Sequence, residues 1–207
     1  MPAPRSCSPA RTVRRFLAQV APAPDAGDAE LLSQFLAGDH EAFAVLVRRH
    51  GPMVLGVCRR GLGPGPDSDD AFQATFLALA RHARQVRGRD DLGAWLHRVA
   101  LHACHRARAR RAKTESVELP DVPGPNSDPL ADLSWREVRR MLDEELNRLP
   151  GRLRAPLVAC YLDGQTREEA ARRLGWSAST LKRRLRRGLD VLRARLTRRG
   201  IAPAAVG

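Results

Sequence analysis

Apolar side chains recur at three- and four-residue spacing along most of this chain, and no stretch alternates apolar and polar positions convincingly. The periodicity predicts helices throughout. Asp28 can cap a first helix with Leu31, Leu32 and Phe35 on its inner face. Gly38-Asp39 closes that helix and opens a second, which carries Phe43, Leu46 and Val47. Gly51-Pro52 reads as a bend, beyond which Met53, Val54 and Val57 continue the core to Gly61. After the loop 61–66, rich in glycine and proline, Asp67-Ser-Asp-Asp70 opens a third helix with Phe72, Thr75, Phe76 and Leu79 at helical spacing. A polar loop from Arg84 to Asp91 separates it from a last helix of the N-terminal half, about Leu92 to Arg111, with Trp95, Leu96, Val99 and Ala103 inward.

The pattern breaks at residues 114–134, which hold Pro120, Pro123, Pro125 and Pro129, five acidic residues and no basic one. That composition reads as a flexible acidic linker. Helical spacing resumes beyond it, with a leading helix at about 135–148, another after Leu149-Pro150, and a final pair. The expected architecture is therefore all-α: two small helical domains, 25–113 and 135–200, joined by the acidic linker. Residues 1–24 form a basic, Pro/Ala-rich tail expected to be disordered, and residues 201–207 a short C-terminal tail.

The final pair is the most informative stretch. Thr166 stands three residues before Glu169, the capping-box spacing, and Ala170 and Leu174 give the helix a small apolar face. Gly175 can leave that helix in a left-handed conformation, and Ser177 can cap the next one. The second helix carries Leu181, Leu185, Leu189, Leu192 and Leu196 on one stripe. Ser179, Thr180, Arg183, Arg186 and Arg187 fall opposite. A helix with apolar packing behind and cations in front suits the DNA major groove.

Charge agrees with that reading. The 207 residues carry a net charge of +13, of which residues 135–207 contribute +10. A strongly basic C-terminal third favours a polyanionic partner, although membrane phosphate or RNA would satisfy charge alone. Cys7, Cys58, Cys104 and Cys160 are widely spaced, which indicates neither a disulfide framework nor a zinc ribbon and fits a reducing cytoplasm. No apolar run is long enough to span a bilayer, and the N-terminus lacks a signal-peptide core.

Other constellations are weaker. Asp67, Asp69 and Asp70 at a helix start are explained by the helix dipole. His97, His102, Cys104 and His105 crowd one helix, but their spacing shares no face suited to a metal. Trp95 and His97 have the chemistry to stack on an unpaired base, while a tryptophan on an apolar face also serves a core. No phosphate-binding loop, nucleophile elbow or zinc-protease motif occurs, so no catalytic residue, cofactor or metal is expected.

Four stretches in order resemble the extracytoplasmic-function sigma factors, the two-domain initiation factors of bacterial RNA polymerase. They are Asp28 to Leu32 running on to Ala42–His50; Asp69-Asp-Ala-Phe-Gln-Ala-Thr-Phe76; Leu92-Gly-Ala-Trp-Leu-His-Arg-Val-Ala100; and Leu149–Leu157 with the helix-turn-helix. The resemblance implies that Asp69, Asp70, Gln73 and Phe76 grip the β′ coiled coil of core RNA polymerase. It implies that Trp95, His97, Arg98, His102 and Arg106 face the −10 element of promoter DNA. Ser179, Thr180, Arg183, Arg186 and Arg187 would read the −35 element, with Lys182 and Arg184 flanking on phosphates, and the same lobe would meet the β flap. The family also admits an anti-sigma factor as a partner. Ala74 stands where the family often has Glu, and His102 where Asn is common. Arg183-Arg184 is more basic than usual. A stand-alone helix-turn-helix regulator and a DNA-cleaving enzyme are the competing readings.

Overall fold

The computed structural model describes residues 26–87, 91–114 and 129–201. The expectations for the tails at 1–24 and 202–207, and for most of the acidic linker, lie outside the described residues. Eight α-helices occur among the described residues: α1 (Asp28–Leu36), α2 (His40–Leu62), α3 (Pro66–Val86), α4 (Leu92–Thr114), α5 (Pro129–Asn147), α6 (Gly151–Leu157), α7 (Arg167–Arg173) and α8 (Ala178–Arg198). The chain is all-helical, as its periodicity predicts.

Helices α1–α4 form an N-terminal bundle around Leu46, Val54, Val57, Leu79, Leu96 and Ala100, all fully buried. Phe35, Phe43, Phe72 and Phe76 interlock α1, α2 and α3, with ring centroids 4.7 to 6.5 Å apart. Cys104 packs so closely on α2 that a Cβ at Gly61 would lie 2.9 Å from its sulfur. Arg108 donates to the Gly61 carbonyl and so closes the C-terminal end of α2.

Three local expectations change. Asp28 does not cap α1; Gly27 occupies that position, and the Asp28 carboxylate is drawn to Arg49 and His50. Gly51-Pro52 does not split α2, which runs unbroken for 23 residues. Pro52 forfeits one ladder bond, typically about 3 kcal/mol, but Met53, Val54, Val57 and Cys58 are buried beyond it and hold the helix in line. The loop expected from Arg84 begins only after Val86, because Ala83 and Val86 are buried and carry α3 onward.

In the C-terminal lobe, α5 starts at Pro129, inside the stretch that reads as linker; proline is well suited to a first helical position. Helices α6 and α8 approach so closely that a Cβ at Gly188 would lie 2.9 Å from Leu157 Cδ1. Pro156 lies inside α6 and removes a ladder donor. The helix then widens into a π-helical turn, Val158–Leu162, closed by Asp163 N–H donating to the Val158 carbonyl at 2.9 Å. That turn sets where Asp163 points.

Candidate nucleic-acid interface

The helix-turn-helix forms as its sequence dictates. Thr166 Oγ1 accepts from Glu169 N–H at 3.2 Å, and the Glu169 carboxylate accepts from Thr166 N–H at 2.8 Å. Gly175 turns left-handed at φ 64°, and Trp176 N–H reaches back to the Ala171 carbonyl, so α7 ends in a Schellman turn. Ser177 caps α8 by accepting from Thr180 N–H at 3.3 Å. Leu181, Leu185 and Leu192 are buried, while Ser179, Lys182, Arg183, Arg186 and Arg187 are exposed. Among the described residues those four cations make no ion pair. Arg184 differs: its guanidinium lies 3.9 Å from the centroid of the Trp176 ring, so it is held across the turn. Thr180 is half-buried, and its hydroxyl accepts from Ser177.

The second basic face lies on α4. Arg98, His102 and Arg106 are exposed on one side, with Trp95 half-buried beside them. Trp95, Val99, His102, His105 and Arg106 form one wall of an open groove of about 500 Å³; Ala78 and His82 of α3 form the other. His97 departs from the set. It is fully buried on another side of α4, with Nε2 3.2 Å from Asp143 Oδ1 of α5. The side chain at 97 turns by roughly 200° around the helix from that at 95, and the bundle and the C-terminal lobe take up that side.

The acidic stretch of α3 also divides. Asp70 and Gln73 are exposed; Asp69 and Phe76 are buried. Leu77 extends the exposed face one turn further and is 57% exposed. Its spacing, seven residues from Asp70 and four from Gln73, places it on their face.

A further set escaped notice because its members are far apart in the chain. Asp143 of α5 accepts from Arg60 Nε at 2.7 Å and Nη2 at 3.0 Å, and also faces His97. Burial favours the neutral acid, but hydrogen bonds and charge from His97 and Arg60 outweigh it and hold the Asp143 carboxyl below its ordinary pKa. His50, fully buried, has Nε2 3.1 Å from Asp28 and Nδ1 3.1 Å from Asp163. With a carboxylate on each ring nitrogen, both nitrogens donate and the ring is an imidazolium. Burial alone would lower its pKa; the two carboxylates outweigh burial and push it up to about 10. Burial likewise opposes the charge on Asp28, and His50 and Arg49 override it, holding that carboxyl far below the usual range.

Two helical lobes, each presenting a basic helical face, define the class: a helical protein with surfaces suited to nucleic acid. Comparison with known proteins narrows this class. The family model "Sigma-70 region 2" matches residues 46–114, and "Sigma-70, region 4" matches residues 139–192. The ECF RNA polymerase sigma factor SigM of Mycobacterium tuberculosis is 37% identical over 172 residues, covering 83% of each chain. The RNA polymerase sigma factor NccH of Alcaligenes xylosoxydans xylosoxydans is 34% identical over 181 residues, covering 82% of this chain and 92% of its own. A solved structure of CnrH in complex with the cytosolic domain of CnrY is 27% identical, covers 83% of this chain and 97% of that one, and superposes with a TM-score of 0.40. The chain belongs to the ECF RNA polymerase sigma factors, with sigma-70 regions 2 and 4, and acts in transcription initiation without catalysing a reaction itself. Sigma factors bind core RNA polymerase. No helix of the described residues is long and apolar enough to cross a membrane.

Proposed function

We propose that the two basic faces divide promoter recognition between them. The α8 face reads the −35 element: Ser179, Thr180, Arg183, Arg186 and Arg187 point to base edges, and Lys182 holds phosphate. Arg184 supports the helix from its seat on Trp176. The α4 face engages the −10 element through Trp95, Arg98, His102 and Arg106, with His82 and His105 completing the groove. A tryptophan edge beside imidazoles and guanidinium groups suits an unstacked base and its phosphates. His97, which the resemblance groups with these residues, lies on the other side of α4 against Asp143 and takes no part in that face. On α3, Asp70, Gln73 and Leu77 contact the β′ coiled coil, while Asp69 and Phe76 brace that face from beneath. The C-terminal lobe meets the β flap, and an anti-sigma factor would compete for the same polymerase-binding surfaces.

The observation that carries this reading is the set of four unpaired cations on α8, aligned opposite a buried leucine stripe. The test is promoter-directed transcription with core polymerase. Trp95→Ala is expected to leave polymerase binding intact and to reduce promoter melting, read by permanganate footprinting, by about 1–3 kcal/mol, the usual worth of a stacked base. Unchanged melting would remove the −10 assignment from this groove.

A further inference from the structure

Promoter reading leaves two nucleophiles of the N-terminal bundle unused. Cys58 of α2 and Cys104 of α4 are free thiols, 0% and 1% exposed. They meet where the two helices cross, and the Cys58 S–H donates to the Cys104 sulfur. Gly61, one turn beyond Cys58, presses α2 against the same residue: a Cβ there would lie 2.9 Å from Cys104 Sγ and 3.1 Å from its Cβ. The missing side chain lets the helices approach as closely as a disulfide between them requires.

A buried cysteine commonly serves only as a small apolar side chain. This pair differs in its electrostatics and in its cover. The hydrogen bond from Cys58 draws the Cys104 thiol below its ordinary pKa; burial opposes that, and the Arg108 guanidinium adds to it. The same contact, together with burial, pushes the Cys58 thiol up. Cys104 is therefore the nucleophile and Cys58 its resolving partner. An open groove of about 350 Å³ runs among Arg59, Arg60, Gly61, Arg108 and Arg140. Two of its lining residues, Gly61 and Arg108, lie against Cys104. At Gly61 no side chain stands between groove and sulfur, and a swing of the Arg108 side chain admits a molecule little larger than water.

We propose that Cys58 and Cys104 are a dithiol that a hydroperoxide converts to an intramolecular disulfide, and that this bridge displaces α4 and its −10 face. The Cys104 thiolate attacks one peroxide oxygen and the O–O bond breaks; the departing hydroxide takes a proton and leaves as water. The Cys58 sulfur then attacks the Cys104 sulfenic acid, forming the S–S bond and expelling hydroxide, which takes the Cys58 proton. Two thiols and one hydrogen peroxide thus become one disulfide and two waters, with sulfur oxidised and peroxide reduced. A disulfide of this kind in a reducing compartment is transient and sensory rather than structural.

The second half of the proposal rests on the −10 reading of α4. Joining the sulfurs draws them inside their contact distance. Helix α2 has no slack, since Gly61 already rests on Cys104. Helix α4 therefore turns, and His102, His105 and Arg106, which flank Cys104 and line the −10 groove, move with it.

The test starts from full-length reduced protein treated with hydrogen peroxide. Peptide mass mapping without reductant should find Cys58 joined to Cys104. The bridge closes a loop of about 45 residues, so Tm should rise by about 8 °C or more and fall back with dithiothreitol. In Cys58→Ala the reaction should stop at a Cys104 sulfenic acid that dimedone labels; Cys104→Ala should give neither label nor bridge. Permanganate reactivity of the −10 element, with core polymerase present, should fall by about fivefold on oxidation and recover on reduction, the lower end of a stacked base's worth. Thiols that stay reduced, or a bridge through Cys7 or Cys160 instead, overturn the pair, and this result needs no variant. A label on Cys58 of Cys104→Ala overturns the assigned order of attack. A bridged protein that melts the promoter as well as its reduced form overturns the effect on α4. Melting that is also unchanged in Trp95→Ala would fault the −10 reading itself and leave the dithiol standing.

Discussion

Helices α4 and α8 are alike in length and both rich in arginine, yet they meet the rest of the molecule differently. One face of α8 packs on α5, α6 and α7, and its other face is open to solvent. The N-terminal half of α4 is pressed between α2, α3 and the C-terminal lobe, and only a narrow strip bearing Trp95, Arg98, His102 and Arg106 emerges. A charge on the open face of α8 is therefore available for binding, whereas a polar side chain on α4 is as often part of the structure. Substitutions of the two kinds should separate cleanly: buried ion-pair residues should cost stability and recognition residues should cost binding.

His50 provides the largest expected effect. His50→Gln removes a buried cation from between Asp28 and Asp163 and leaves two carboxylates without it, which typically costs about 3–5 kcal/mol of stability. The pH dependence has a definite sign. The folded protein binds the His50 proton more tightly than the unfolded chain, so the stabilisation is complete below about pH 6.5 and drains away as pH rises towards about 10. The groups facing the ring are Asp28 and Asp163, with Arg49 against Asp28 and Arg173 beside both carboxylates. Urea unfolding from pH 6 to 10 should show wild-type stability converging on that of the variant as pH rises. A difference independent of pH would mean that the buried ring is neutral.

Recognition residues should behave oppositely. Arg183→Ala/Arg187→Ala is expected to reduce holoenzyme affinity for a −35 duplex by about 2–4 kcal/mol and to flatten its salt dependence, as befits lost phosphate and guanine contacts. Both side chains are exposed, so unfolding in the same urea series should move by less than about 0.5 kcal/mol. Affinity that survives, measured by fluorescence anisotropy at several salt concentrations, would transfer −35 reading to another face.

The same contrast explains what the sequence made legible. A helix with one buried and one free face writes its orientation into its periodicity, so the leucine stripe of α8, its Ser177 cap and its Gly175 turn were all readable. The aspartates of α3 could be placed on a helix but not sorted, because only packing decides that Asp69 is covered while Asp70 is free. Stacking chemistry and resemblance both group His97 with Trp95, and nothing in the local pattern marks it as the partner of Asp143, 46 residues away. The His50–Asp163 contact spans 113 residues. The continuity of α2 through Pro52 was hidden for the same reason, since it follows from tertiary burial that outweighs a local preference.

Arg184 gives the finest test, because it stands between the two categories. It belongs to the basic run of α8, and its guanidinium rests on Trp176 across the turn. Arg184→Lys keeps the charge but loses the planar group that stacks on the ring. If the residue acts through Trp176, the loss should be about 0.5–1 kcal/mol of stability, read as a fall of about 1–4 °C in Tm, with −35 affinity lowered only slightly. If it instead held a phosphate directly, lysine would replace it well and the Tm would not move. Trp176→Leu should then reproduce the stability loss without touching any charge. Combining it with Arg184→Lys should add almost nothing, because both changes remove one contact.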